Sequence, residues 1–340
     1  MKIAVVTGGN KGIGYGIVKG ICEKLNGIVY LTARDVGRGE AAVADLKKLG
    51  LKPKFHQLDV TDEKSLIAFH DFIKKEHGGI DILVNNAAIA YKHDATEPFG
   101  EQAENTVRVN YFALVKTCKI LFPLLRPHAR VVNLSSSAGH LHKIPSDKLR
   151  KKLSSPTLTE EELSQLMQQF VESAKAGIHE QEGWGNSAYS VSKVGVSALS
   201  FIQQRTFDSD PREDIVVNAV HPGYVDTDMT SHKGPLTIEQ GADAPVHLAL
   251  LDDNVKSPRG QYIWCNRNIV DWVYAENEPL TLPSKSEQRT IKVFVEKTGN
   301  EWIVVRCMCA WRTCTLKPCT NLTNMVRAAQ VCTYLKDAGG

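Results

Sequence analysis

The sequence predicts an α/β protein built on a doubly wound parallel sheet, and three observations carry that expectation. Short apolar runs rich in β-branched residues alternate with longer runs of helical spacing through the first 135 residues. A glycine cluster directly follows the first apolar run, where such a sheet turns into its first helix. Two further strand-like runs, "DIVVNAVHPGYV" and "GQYIW", come late, after another helix-like run headed by Tyr189 and Lys193.

The elements read in order as follows. "KIAVVT" is a buried strand ended by glycines, and "GIVKGICEKL" has helical spacing. "GIVYLTAR" is a second strand, followed by "RGEAAVADLKKLG", a run of good helix formers closed by a glycine. "KPKFHQLDV", "IDILVNNAA" and "RVVNLSS" are three more strands, separated by crossover helices in the runs beginning at Asp62 and Glu104. About fifty residues then separate "NLSSSAG" from "AYSVSK", long for a connection in a compact sheet. Within them Thr159 and Glu162 have the spacing of a capping box. Leu163, Leu166, Met167, Phe170, Val171 and Ala174 then make one apolar stripe, so the insertion is expected to hold a docked helix.

Bulk properties set limits on function. The chain has 340 residues, 42% hydrophobic and 23% charged, with a formal net charge of +3. That excess is too small to argue for nucleic acid or a membrane surface. No apolar run reaches the roughly 18–20 residues that span a bilayer, and the N-terminal apolar run is too short for a signal-peptide core. A cytoplasmic location is the resulting expectation.

Chemistry concentrates at "GNSAYSVSK". Tyr189 and Lys193 are four apart and share a helix face, so an ammonium and a phenol meet over one spot. A cation there is expected to lower the phenol's pKa from about 10 and make Tyr189 a proton donor near neutral pH. At the other end of the domain, "TGGNKGIG" places Gly8, Gly12 and Gly14 at a strand-to-helix turn suited to a pyrophosphate. "LTARD" ends the second strand with Arg34, and Lys11 sits in the glycine turn. Two cations near a cofactor's 2′ position favour NADPH over NADH, although Asp35 beside Arg34 leaves the pairing open.

Thr7 to Gly14, Asn85-Asn86-Ala87, Asn110, Asn133 to Ser136, Tyr189 with Lys193, and Pro222-Gly223 with Thr227 stand in the order shared by the short-chain dehydrogenases/reductases. The chain resembles that family over roughly residues 1–230. It resembles the monomeric NADPH-dependent carbonyl reductase branch as far as Trp272, through "LTARDV", "FHQLDV", "EGW" and the long insertion. One departure is Ala88, where the family usually has glycine.

The resemblance implies a Rossmann-like doubly wound parallel sheet with a long helical insertion, about 140–184, before the catalytic tyrosine. It implies reduction of ketones, aldehydes and quinones by hydride transfer, with Tyr189 as proton donor, Lys193 beside it, and Asn110 helping to hold a relay water. Ser136 would hold the carbonyl oxygen; its neighbour Ser135 competes, but the family pattern places the active serine second. NADPH would be held by Gly8, Asn10, Lys11, Gly12, Ile13, Gly14, Arg34, Asp59, Val60, Asn86, Tyr189, Lys193, Val225 and Thr227. Tyr91, Lys92, His93 and Trp184 would border the substrate, with glutathione adducts held near Lys92 and His93. The long insertion implies a monomer, and no metal is expected. The same groups serve an NADP-linked alcohol or hydroxysteroid dehydrogenase running oxidatively. A cofactor-binding regulatory scaffold would be expected to have a damaged catalytic set, whereas Asn110, Ser136, Tyr189 and Lys193 are all present.

The resemblance ends near Trp272, so the expected organisation is a catalytic domain over 1–272 and an atypical extension over 273–340. Five of the eight cysteines crowd this extension at 307, 309, 314, 319 and 332, without the paired spacing of a structural zinc site. "TIKVFVEKTGNEWIVVRCMC" is expected to form a hairpin around Lys297–Asn300.

Overall fold

A glycine-led turn after the first strand opens the first helix and starts the winding of the sheet. The computed structural model describes residues 1–92, 94–273, 293–298 and 301–307, the last two segments as backbone. In order, β1 (Lys2–Val6), α1 (Gly12–Lys24), β2 (Gly27–Ala33), α2 (Val36–Lys48), β3 (Lys54–Gln57), α3 (Glu63–His77) and β4 (Ile80–Asn85) form the first half. Then come α4 (Phe99–Val107), a π-helical turn (Arg108–Phe112), α5 (Ala113–Leu121) and β5 (Leu125–Leu134). After the insertion follow α8 (Ala188–Asp208), β6 (Val216–Val220), α9 (Ile238–Ala249), β7 (Tyr262–Ile263) and β8 (Ile269–Val270). The strand order is β3-β2-β1-β4-β5-β6-β7-β8, parallel except for the antiparallel β7–β8 pair. The winding reverses between β1 and β4, and the crevice beyond the carboxyl ends of those strands is where such sheets bind ligands. Strand β8 has only two residues, too short to show a period, and the sequence reading missed it.

The insertion contributes two helices, α6 (Asp147–Leu153) and α7 (Glu160–Lys175). The capping box is present on α7, with Thr159 and Glu162 each accepting the other's backbone N–H. All six stripe residues are buried. They pack with α4 and α8: Phe170 meets Phe99 edge-on at 6.3 Å, and Tyr111 Oη lies 3.1 Å from Ser164 Oγ. Gly195 permits the approach, since a Cβ there would sit 2.7 Å from Met167 Sδ. A docked helix was expected; the short, mostly basic α6 was not.

By contact the chain separates into two units, residues 1–282 and 283–340. In the second, β9 (Val293–Thr298) and β10 (Glu301–Cys307) pair antiparallel from Thr298↔Glu301, the hairpin expected there, with a register irregularity between Val304 and Arg306. The tail cysteine side chains, like His93, lie outside the described residues. Among the described residues no helix is long and apolar enough to cross a membrane, and no cluster of three metal-ligating side chains occurs.

Candidate active site

The site is assembled where α8 begins, against the carboxyl end of β5. Ser187 caps α8 by accepting from the Ser190 N–H, which puts Tyr189 and Lys193 on its first two turns. Lys193 is 3% exposed, and its Nζ lies 5.8 Å from the centre of the Tyr189 ring. That Nζ donates to Leu134 O at 2.7 Å, the last carbonyl of β5. Beyond the strand Ser136 is extended, and its hydroxyl faces the Tyr189 phenol, acting to lower its pKa. Its Oγ also accepts from Ala138 N at 3.2 Å.

Ser135 and Ser136, consecutive in extended chain, point opposite ways. Ser135 Oγ is turned into α8, bonding Ser197 Oγ at 2.7 Å and Lys193 O at 3.2 Å. Its hydroxyl is therefore occupied in holding α8 to β5, and Ser136 is the serine that reaches Tyr189.

The expected depression of the Tyr189 pKa is not what the protein shows. Burial raises the phenol's pKa above its ordinary value, and the Ser136 hydroxyl pulls it only part of the way back. Burial acts on the lysine too, lowering Lys193 from 10.5 to about 8. Desolvation disfavours both charged forms and outweighs their mutual attraction. In this state Tyr189 is a firmly protonated acid beside a lysine whose charge is held weakly.

Asn110 sits in the π-helical turn, a local irregularity frequent at functional sites. Its amide is pinned on both sides: Oδ1 accepts from Ile89 N at 2.8 Å, while Nδ2 donates to Ile89 O and to Ser192 Oγ at 2.9 and 3.1 Å. Between it and Lys193 lies a cavity of about 10 Å³, bordered also by Asn85, Thr117 and Leu134. Such a volume holds about one water. Asn85 Oδ1 is buried there without a hydrogen-bond partner among the described residues.

The glycine turn is shaped for close approach. Gly8 and Gly12 have φ of +63° and +55°, and a Cβ on Gly14 would lie 2.4 Å from both Gly8 O and Asn86 Nδ2. Asn86 donates to Thr7 O and Gly8 O, so its side-chain amide braces the turn. Asp59 accepts from Thr61 N and Oγ1, while Val60 borders the small cavity and Ile13 packs against the core. Asn10 lies in the turn itself. Thr227 approaches Gly12 from the opposite loop, and Val225 is buried behind it, bridged to Leu236. Ala88 adopts no left-handed backbone, so alanine carries no conformational penalty there.

At the end of β2, Arg34 is exposed, and no hydrogen bond or ion pair of its guanidinium is found among the described residues. Asp35 is turned away from it: it caps α2 and pairs with Arg38, which holds its carboxyl below the usual range. Lys11 reaches across to Asp228 at 2.7 Å, an exposed pair that costs little to break. The exposed arginine, the free lysine protons and the glycine-rich turn fit an anionic dinucleotide carrying a 2′-phosphate.

The proposed substrate border is only partly brought together. Lys92 Nζ donates to Asp228 O and to Ser231 Oγ, the latter at 3.0 Å, and Tyr91 Oη accepts from Asn105 Nδ2 at 3.0 Å. Tyr224 and Met229 are exposed apolar side chains on the facing loop. Trp184 does not belong to this border. It is 1% exposed and packs on Phe170 at 5.6 Å, because the insertion folds it inward as core. Sequence reading also missed His221 and Tyr262, which contact the serine loop through Ser137 N and Ser136 O; neither lies in a motif that marks it.

Residues 2–146 match the family model described as short chain dehydrogenase. Carbonyl reductase (NADPH) 1 of Sus scrofa is 48% identical over 274 residues, 80% of this chain and 94% of that protein. Carbonyl reductase (NADPH) 3 of Mus musculus is 48% identical over 265 residues, 77% of this chain and 95% of that protein. Among solved structures, salutaridine reductase from Papaver somniferum superposes with a TM-score of 0.70 at 33% identity, covering 77% of this chain and 99% of that one. The chain belongs to the short-chain dehydrogenases/reductases. Within that family its likeness at 48% identity is to proteins named as NADPH carbonyl reductases.

Proposed function

We propose that this chain is a monomeric, cytoplasmic, NADPH-dependent carbonyl reductase. The observation that carries the reading is the convergence of Ser136, Tyr189 and Lys193 at the carboxyl end of β5, in a sheet whose β2 ends in the exposed cation Arg34. Bound NADPH supplies the hydride. Gly8, Gly12 and Gly14 would admit its pyrophosphate, Asn10, Ile13 and Thr227 would border it, and Arg34 and Lys11 would take the 2′-phosphate. Ser136 Oγ donates to the substrate's carbonyl oxygen and orients it toward Tyr189. As negative charge grows on that oxygen, the Tyr189 phenol gives up its proton, helped by the ammonium of Lys193. Lys193 bonds one protein carbonyl, leaving ammonium protons that would serve a cofactor ribose hydroxyl and a water in the cavity beside Asn110 and Asn85, from which the phenol would be reprotonated.

The substrate class is bulky hydrophobic ketones, aldehydes and quinones, admitted between Tyr224, Met229 and Tyr91. Lys92 offers a cation to anionic adducts such as those of glutathione. The catalytic domain is 1–272, in keeping with the 80% of the chain aligned to its relatives.

The testing experiment is NADPH oxidation with menadione, by the full chain and by a chain ending at Trp272. Both are expected to turn over at similar kcat, with NADH poorer by at least about tenfold, the worth of one lost charge-assisted contact. Arg34→Asp is expected to erase that preference; an unaltered preference overturns the assignment of Arg34. Because α7 covers the faces of α4 and α8, sedimentation should show one monomeric species of 37.5 kDa, and a stable dimer or tetramer would sink that part.

A further inference from the structure

The peptide unit joining Ser136 to Ser137 is gripped at both ends by side chains that the chemistry above does not use. Its carbonyl oxygen, Ser136 O, accepts from Tyr262 Oη at 2.5 Å. Its N–H, that of Ser137, donates to His221 Nδ1 at 2.9 Å. The same His221 nitrogen accepts from Gly223 N at 3.3 Å, the loop that leads to Val225 and Thr227. Two N–H donors facing one ring nitrogen make it the acceptor, so the proton is on Nε2.

The geometry points to His221 and Tyr262 as positioning residues: together they clamp the peptide after Ser136, fix its hydroxyl against Tyr189, and tie the serine loop to the loop expected at the nicotinamide. This rests on the reading of Ser136 as the group that holds the substrate carbonyl.

Three observations favour positioning over mere filling. His221 is 3% exposed, and its Nε2 has no hydrogen-bond partner among the described residues. An apolar side chain would fill the same space without burying an unpaired N–H, so the acceptor nitrogen is what the position requires. Burial keeps the ring neutral, holding its pKa down at about 3, so the acceptor persists throughout the working pH range. Finally, both rings are themselves wedged. Trp264 packs on His221 at 4.4 Å and on Tyr262 at 6.1 Å, and His140 meets Tyr262 at 6.0 Å. A clamp whose jaws cannot swing can hold a hydroxyl to the tolerance that hydride and proton transfer demand.

The test compares His221→Asn, His221→Gln and Tyr262→Phe with Ser136→Ala, using the full chain, NADPH and menadione. Asparagine puts an acceptor oxygen at the place of Nδ1, and glutamine does not. His221→Asn is expected to keep kcat within about threefold, whereas His221→Gln and Tyr262→Phe lower it by about 10–100-fold, as for a displacement near 1 Å. NADPH affinity, read by quenching of tryptophan fluorescence, should move less than about threefold in Tyr262→Phe. In the Ser136→Ala background the Tyr262→Phe and His221→Gln changes should add little, because they act through that hydroxyl. Equal activities for the asparagine and glutamine variants overturn the inference for His221. The same factor lost with and without Ser136 overturns the clamp, since general destabilisation would act in both backgrounds. If His221→Gln does not fold, Tyr262→Phe and its double variant decide alone. Should Ser136→Ala itself leave kcat unchanged, the reading of the active site has failed, and not the clamp.

Discussion

Tyr189→Phe should lower kcat for carbonyl reduction about 10³-fold while leaving NADPH affinity within a factor of two. The magnitude is that of a positioned general acid. The substitution is clean because the ring, not the hydroxyl, packs beneath the Lys193 ammonium, so phenylalanine keeps that contact. What disappears is the transferable proton and the hydroxyl that faces Ser136. Stopped-flow reduction of a quinone with pre-bound NADPH measures the chemical step directly. A variant within tenfold of the native rate would mean that the proton comes from elsewhere, and the mechanism would fall.

Lys193→Met should act in opposite directions on activity and on stability. Activity should fall by about 10²–10³-fold, since the cation that favours proton loss from Tyr189 is gone. Stability should rise, because a buried ammonium held at about 8 is disfavoured at pH 7 relative to an unfolded lysine. A displacement from 10.5 to about 8 corresponds to about 3 kcal/mol, reduced in the variant by the loss of the partner of Leu134 O. The sign follows from the depressed pKa of a base. Between pH 8 and 10.5 the unfolded chain binds more protons, so native stability climbs with pH through that window and is flat below it for this group. Chemical denaturation of the cofactor-free native and methionine chains at pH 7, 9 and 10.5 should show their difference shrinking as pH rises. For the native enzyme, kcat/KM for NADPH should fall as pH passes about 8, where the free protein's Lys193 loses its charge. A difference in stability that stays constant with pH would refute the buried-lysine account.

The fold was largely legible because its signals are local. Alternating apolar runs, the Thr159–Glu162 box and the six-residue stripe each reside within a window of a few turns, and each forms as read. The features that were missed lack such a window. Strand β8 is two residues long, and α6 presents just two apolar positions, Leu149 and Leu153. Trp184 lies in a stretch without a repeating period, so its direction was set by Phe170, a residue fourteen positions away.

Within the site the same division holds. Spacing alone brought Tyr189 and Lys193 to one helix face, and the glycine turn to the end of β1, because i to i+4 geometry and strand-to-turn chemistry are written in consecutive residues. Which of two adjacent serines faces the tyrosine depended on where α8 packs, since Ser197 captures Ser135. The proton affinities depended on burial contributed by elements far apart in the chain. A sequence pattern registers the attraction between phenol and ammonium but not the loss of water around both, and here that loss is the larger effect. His221 and Tyr262 share this character: they meet one peptide from positions 84 and 126 residues away, a convergence that only the closed sheet creates.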